Sequence, residues 1–125
     1  MRVLGITLAC LVGLATPVAA AQLTTPPITQ SGGSLVECSI ANISGSGAKV
    51  VITVINNDAA LTSVTLKNLA AGTSRSTFDF CPSGMTCTRP RCVFTTSTPA
   101  GNFRASGCVA NFTNTNTDKI CLPAQ

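Results

Sequence analysis

Cysteine is the residue type that most constrains how this chain can fold. The 125 residues include seven cysteines, of which Cys10 lies in an apolar N-terminal run. The other six are Cys38, Cys81, Cys87, Cys92, Cys108 and Cys121. An even number of cysteines in a small exported domain predicts a disulfide framework, and six cysteines allow 15 pairings.

A zinc site is the competing interpretation of these cysteines. Structural zinc sites use closely spaced cysteine pairs, often together with histidine. The spacings from Cys81 to Cys87 and from Cys87 to Cys92 are longer, and the chain contains no histidine. We therefore expect disulfides and no metal site.

The N-terminus has the three regions of a secretory signal peptide in the right order. Met1-Arg2 is the positive start, the run from Val3 to Leu14 is almost wholly apolar, and Val18 to Ala21 supplies small residues. The apolar run is shorter than the roughly 20 residues that a membrane-spanning helix needs. Cleavage after Ala20 or Ala21 fits, and Ala21 is favoured. This predicts a signal peptide at residues 1–21, removal of Cys10, and a secreted or periplasmic mature protein without a transmembrane segment.

The remaining hundred or so residues are enough for one domain. Residues 22–34 are polar, with Pro26-Pro27 and Gly32-Gly33, and are expected to form an extended lead-in with nothing to bury. Residues 35–125 are rich in Thr and Val, which favour strands, and form the predicted domain.

Alternating apolar residues and turn signals predict six strands in this domain. They are expected at residues 35–43, 48–56, 61–69, 73–80, 91–96 and 102–112. Ser44 to Gly47 is interpreted as the turn of a hairpin between the first two strands. Phe78 and Phe80 are predicted to point inward, and Gly107 to mark a β-bulge.

Six short strands predict an all-β fold, namely a small antiparallel β-sandwich of immunoglobulin-like architecture stapled by disulfides. A small β-barrel is the alternative. Cys38 and Cys108 are predicted to point inward and are candidates to join the two sheets. At least one local bond is expected among Cys81, Cys87 and Cys92, and Cys121 needs a partner to anchor the polar tail.

The composition excludes several classes of function. Without histidine, the Ser-His-Asp and Cys-His arrangements cannot form. The four acidic residues are separated, and the basic residues are scattered rather than gathered into a stripe that could neutralise nucleic-acid phosphates. We predict no catalytic residue, no cofactor and no nucleic-acid partner. The sequons at Asn42 and Asn111 are interpreted as chance matches, because the signal peptide looks bacterial.

One short segment is a candidate interaction loop. Arg89, Pro90 and Arg91 lie between Cys87 and Cys92. If these two cysteines pair, the loop becomes rigid and basic, as in a protease inhibitor, because rigidity lowers the entropic cost of binding. An ordinary solvated loop at a sheet edge is the simpler interpretation.

Four segments carry a resemblance to a protein class: Leu35 to Ile43 with Cys38 and Asn42 spaced as C-x-x-x-N, Leu69 to Gly72, Arg91 to Phe94, and Phe103 to Ser106. Together they resemble small secreted bacterial proteins of unknown function. The resemblance implies export and a β-sandwich, with no catalytic residues to transfer. The leading hypothesis is an exported non-enzymatic module that binds a protein or an envelope component, and the alternative is a protease inhibitor.

Overall fold

The computed structural model describes residues 20–28, 34–56, 59–80, 89–113 and 116–125. All six predicted strands are confirmed, and two more flank them. The strands are Ala21–Thr24 (β1), Ser34–Asn42 (β2), Ala48–Asn56 (β3), Ala59–Leu69 (β4), Ser74–Phe80 (β5), Arg91–Thr96 (β6), Phe103–Thr113 (β7) and Asn116–Pro123 (β8). A 3-10 turn, Ala100–Asn102, precedes β7. Residues 1–19 of the predicted signal peptide, Cys81 and Cys87 lie outside the described residues.

The strands form two antiparallel four-stranded sheets. Sheet A has the order β1-β6-β3-β4, and sheet B has the order β5-β2-β7-β8. The sheets stack as a sandwich and do not close into a barrel, which confirms the predicted fold class. In the described part of the chain, no helix is long and apolar enough to cross a membrane.

The core lies between the sheets and follows from the period-two alternation of strand side chains. In β2 and β3, every second residue is buried. Ile40 of β2 and Ile52 of β3 are at most 1% exposed, and Phe94 of β6, which lies opposite Ile52, is fully buried. Burying such side chains contributes about 1.5–3 kcal/mol each, which is the main force that holds the sheets together.

The disulfide between Cys38 of β2 and Cys92 of β6 crosses this core. Its Cα atoms are 5.6 Å apart, and both residues are fully buried. The prediction that Cys38 joins the two sheets is confirmed. Cys108 does not join the sheets, because it is bonded to Cys121 on the neighbouring strand β8 of the same sheet. Cys121 thus anchors the C-terminal tail, which forms β8.

The predicted hairpin between β2 and β3 is wrong. β2 pairs with β5 and β7, whereas β3 pairs with β4 and β6, so the turn after Asn42 crosses from one sheet to the other. The buried Asn42 amide holds this crossing: its Nδ2 donates to the carbonyls of Ser46 and Leu69, and its Oδ1 accepts from the N–H and hydroxyl of Ser44. A Gly-Ser turn signals a change of direction but not which strands pair across it. This full use of the amide also agrees with a chance sequon at Asn42.

The predicted lead-in, residues 22–34, also buries more than expected. Ala21–Thr24 forms β1 beside β6, and Leu23, Thr25 and Ile28 are all at most 8% exposed. Thr25 is a polar residue that fits inside because its Oγ1 accepts the backbone N–H of Cys92. Hydrophobic periodicity cannot predict that a polar residue is buried because its hydroxyl accepts a backbone N–H.

Gly107 marks a close approach instead of the predicted bulge. β7 pairs with β2 without a register shift, and Gly107 lies opposite Cys38. A Cβ atom at Gly107 would lie 2.8 Å from Sγ of Cys92 and 3.1 Å from Cγ2 of Thr25. Glycine is therefore required here because the inter-sheet disulfide lies against the backbone of β7. The register shifts occur elsewhere, between β3 and β4.

The last residues connect the two sheets at one side of the sandwich. The N–H of Ala124 donates to the carbonyl of Ala105 in β7. Gln125 and Thr24 of β1 then exchange two backbone hydrogen bonds, with N···O distances of 2.9 and 3.2 Å. The chain thus passes from sheet B to sheet A beside β1.

Candidate interaction surface

The largest departure from the predicted structure is the orientation of β5. Phe78 and Phe80 point outward and are 66% and 49% exposed, whereas Thr77 and Asp79 are half-buried. The prediction that the two phenylalanines point inward is wrong. Thr77 lies opposite Cys38, whose sulfur faces sheet A, so Thr77 must share that inward phase.

The two phenylalanines and their neighbours on β2 form a partly apolar patch, which we call the Phe78–Phe80 face: Leu35, Glu37, Phe78 and Phe80. Leu35 lies directly opposite Phe80, and Glu37 lies opposite Phe78. Residues opposite each other in an antiparallel pair have side chains on the same face, with Cβ atoms about 5 Å apart. Exposed aromatic side chains gathered on one face are typical of interaction surfaces.

An ion pair borders this face. Nζ of Lys119 on β8 lies 2.6 Å from Oε2 of Glu37. The hydrogen bond from Lys119 lowers the pKa of the Glu37 carboxyl. The partial burial of Glu37 acts in the opposite direction, because burial disfavours the charged form. Hydrogen bonds with Ser76 and Ser39 lower the pKa further. The carboxylate therefore stays ionised at neutral pH.

The second disulfide stiffens the same face. Cys108 lies opposite Glu37 on β7, and its partner Cys121 lies directly opposite it on β8. Their Cα atoms are 4.0 Å apart. The disulfide and the ion pair tie β8 to the sheet, so the Phe78–Phe80 face belongs to a preorganised four-stranded surface.

β5 is an edge strand of sheet B, and no other described strand lies along its outer side. The N–H of Asn42 donates to the carbonyl of Thr73, so Thr73 directs its polar groups toward β2. Because this direction alternates along an antiparallel strand, Arg75, Thr77 and Asp79 also face β2. The outward groups belong to Ser74, Ser76, Phe78 and Phe80.

Asp79 covers part of this edge. Its Oδ1 accepts the N–H of Phe80 at 2.8 Å, as expected for a donor that points away from β2. Its Oδ2 accepts the hydroxyl of Thr62 on β4, which joins the two sheets at this side of the sandwich. No described strand pairs with the outer edge of β5.

The predicted interaction loop is not brought together as one surface. Arg89 is exposed with a φ of 61°, Pro90 is buried, and Arg91 begins β6. The carbonyl of Pro90 accepts the N–H of Ile28. Because Cys92 is bonded to Cys38, the ring that a Cys87–Cys92 bond would close does not form.

The acidic residues do not assemble a reaction site within the described ranges. Glu37 lies on the outer face of sheet B, whereas Asp79 belongs to the inward phase. No group of three or more His, Cys, Asp or Glu residues in these ranges could hold a metal ion. The surface missed by sequence reasoning is the Phe78–Phe80 face. The available signal was that Ser74 and Ser76 lie on the same phase of β5 as the two phenylalanines, so that this phase is not uniformly apolar.

Comparisons with known proteins bear on the fold alone. No protein-family model and no curated protein matches the chain. A solved structure from Thermotoga maritima, described as Thermotoga maritima 1070, is similar with a TM-score of 0.56 and 11% sequence identity. The similarity covers 83% of this chain and 91% of that one. At this identity the similarity shows a shared architecture alone. The chain's own structure shows what that architecture is, namely a β-sandwich with two disulfides among the described residues.

Proposed function

We propose that this protein is an exported, non-enzymatic module that binds a protein partner through the Phe78–Phe80 face. The observation that carries the proposal is the exposure of two phenylalanines on a strand whose opposite phase faces the core. Each exposed phenylalanine offers apolar area that association removes from water. Aromatic residues are also enriched at protein interfaces.

The surroundings of the face support binding rather than catalysis. The sheet beneath it is tied by a disulfide and an ion pair, so little order has to be gained on association. Its polar groups, Glu37 and Lys119, neutralise each other instead of pointing at a shared substrate position.

Export is supported by the pattern of residues 1–21 and by the disulfides. Disulfides persist in oxidising compartments such as the periplasm. Expressing the full chain in a bacterium and fractionating the cells tests this part. A periplasmic or secreted product without residues 1–20 or 1–21 is expected, and an uncleaved cytoplasmic product would contradict export.

Site-specific photocrosslinking tests the binding function. A photoreactive benzoylphenylalanine at position 78 or 80 keeps an aromatic ring in place, and the full-length chain with a C-terminal tag is irradiated in the producing cells. The same replacement of Thr65, an exposed residue on the outer face of sheet A, is the matched control. We expect an adduct of discrete mass from positions 78 and 80 and none from position 65. Failure of both positions to form such an adduct, or equal labelling at position 65, would overturn the proposal.

The protease-inhibitor alternative remains a prediction with a simple test. It requires Arg89 to enter the active site of a trypsin-like protease. Its premise, a Cys87–Cys92 bond, is not met, and Pro90 is buried. Lack of inhibition by the intact protein would eliminate it, as would inhibition unchanged by Arg89→Ala.

A further inference from the structure

We propose that the partner at the Phe78–Phe80 face is a second copy of this chain, which pairs edge to edge through β5 about a two-fold axis at Thr77. This inference rests on the proposed function, because it names the occupant of the same surface. The resulting dimer would contain one continuous eight-stranded sheet.

The first argument is that β5 is the least protected edge strand of the sandwich. Proteins usually guard edge strands by keeping them short, or with a bulge, a proline or charged side chains. β1 has four residues, β4 has register shifts against β3, and β8 carries Lys119 near its middle and ends at Pro123. β5 has seven residues in unbroken register with β2. Its two charged residues, Arg75 and Asp79, lie toward its ends and have opposite signs, and the residues between them, Ser76 to Phe78, include no charge, bulge or proline.

The second argument is the charge pattern of β5, which is complementary to itself. Two copies related by a two-fold axis at Thr77 place Ser76 opposite Phe78 and Ser74 opposite Phe80. Arg75 of each copy then lies opposite Asp79 of the other. Opposite charges facing each other stabilise an antiparallel pair.

Neighbouring registers lose this complementarity. Side chains opposite each other must lie on the same face, so the axis can pass through Ser76, Thr77 or Phe78 but not between residues. An axis at Ser76 places Arg75 opposite Thr77, and an axis at Phe78 places Asp79 opposite Thr77. Only the axis at Thr77 satisfies both charges.

The third argument comes from the backbone groups. The N–H and C=O groups that point away from β2 belong to Ser74, Ser76, Phe78 and Phe80. In the Thr77 register, these same residues exchange backbone hydrogen bonds between the two copies. The Phe78 rings of the two copies become diagonal neighbours across the axis, within reach of each other. Asp79 releases the N–H of Phe80 to the ladder and receives Arg75 of the second copy.

The experiment is light scattering on the purified, oxidised mature protein over a range of concentrations. A reversible dimer is expected, and Arg75→Glu should weaken it about tenfold or more, because it places two carboxylates opposite each other in both pairs. Combining Arg75→Asp with Asp79→Arg exchanges the charges and should restore much of the affinity. Lys49→Glu changes the net charge by the same amount as Arg75→Glu on an exposed part of β3 and should have no effect.

A backbone variant tests the strand pairing independently of charge. Ser76→Pro removes an N–H that points away from β2, so the β2–β5 ladder keeps its bonds while the intermolecular ladder loses two. Circular dichroism and urea unfolding confirm that each variant is folded. We expect Ser76→Pro to be monomeric at concentrations at which the parent protein is a dimer.

Two outcomes would overturn the second-copy proposal. One is a parent protein that stays monomeric at all concentrations, and the other is a dimer that neither Ser76→Pro nor Arg75→Glu weakens. The photocrosslinks separate these failures from failure of the proposed function. An adduct of twice the chain mass supports the dimer, whereas a discrete adduct of another mass from position 78 contradicts it and leaves a binding module with a different partner.

Discussion

The two described disulfides show how differently the same bond acts in two regions of one sandwich. Cys38–Cys92 lies in the core and joins strands of different sheets that share no backbone hydrogen bonds. Cys108–Cys121 lies on the outer face of sheet B and joins two strands that already pair along their length. The first bond fixes how the sheets stack, and the second reinforces a pairing that exists without it.

The disulfide that joins the two sheets also closes the longer loop of the chain. Cys38 and Cys92 are 54 residues apart, whereas Cys108 and Cys121 are 13 apart. In the chain-entropy model, loops of these lengths correspond to about 4 and about 3 kcal/mol of stabilisation. Both cysteines of the inter-sheet bond are also fully buried, so removing their sulfur atoms leaves a cavity in the core.

Removing the inter-sheet bond should have the largest effect. The pair of changes Cys38→Ala and Cys92→Ala is expected to lower the free energy of unfolding by about 4 kcal/mol or more, because it loses the loop constraint and leaves a cavity. Urea unfolding followed by circular dichroism measures the loss. A smaller loss than that from Cys108→Ala with Cys121→Ala would reverse the comparison.

Removing the outer bond should cost less and act locally. We expect Cys108→Ala with Cys121→Ala to lower the free energy of unfolding by about 3 kcal/mol or less. Amide hydrogen exchange should show faster exchange in β8, while the amides of β3 keep the protection of the parent protein. Equal acceleration in both strands would mean that the outer bond also holds the core together.

A methyl group at Gly107 tests how tightly the inter-sheet bond is packed. Gly107→Ala places a Cβ atom 2.8 Å from Sγ of Cys92 and should cost about 1–3 kcal/mol. Gly101→Ala is the control, because nothing lies within 4 Å of its added Cβ. The cost of Gly107→Ala should shrink when Cys38 and Cys92 are both alanine, and equal costs in the two backgrounds would show that the sulfur is not the obstacle.

The ion pair beside the outer bond should have the smallest effect. Because the folded-state pKa of Glu37 is lowered, its contribution is present above the pKa of the unfolded chain and is lost as the pH falls through the folded-state value. The pair is exposed enough that we expect less than about 1 kcal/mol, lost below about pH 5. Lys119→Met should reduce this part of the pH dependence, as measured by urea unfolding at several pH values. An unchanged pH profile would show that the ion pair does not stabilise the folded protein.

The sequence predicted the fold class because its strongest signals are local. β-branched alternation in β2 and β3 and the turn residues between strands report directly on strand formation. β1 was missed because Pro26 and Pro27 follow it, and because Thr25 is buried through a hydrogen bond that sequence patterns do not encode.

The candidate site was harder to predict because its orientation depends on contacts between distant residues. Aromatic residues are usually buried, so Phe78 and Phe80 were expected inside. Their actual phase is set by the pairing of Thr77 with Cys38 and by the bond from Cys38 to Cys92. The disulfide between Cys38 and Cys92, which are 54 residues apart, thus decides which side of β5 faces water. A short sequence window around β5 does not contain both of these cysteines.

The hydrogen bonds between Thr24 and Gln125 determine how the protein would be oriented when it is immobilised through its C-terminal end. They place the C-terminal residue beside β1, which lies at the opposite edge of sheet A from β4, the strand that packs against β5. A linker added after Gln125 would therefore leave on the side away from Phe78 and Phe80. A molecule tethered to a bead or sensor by such a linker would present the edge of β5 to the solution, in one orientation.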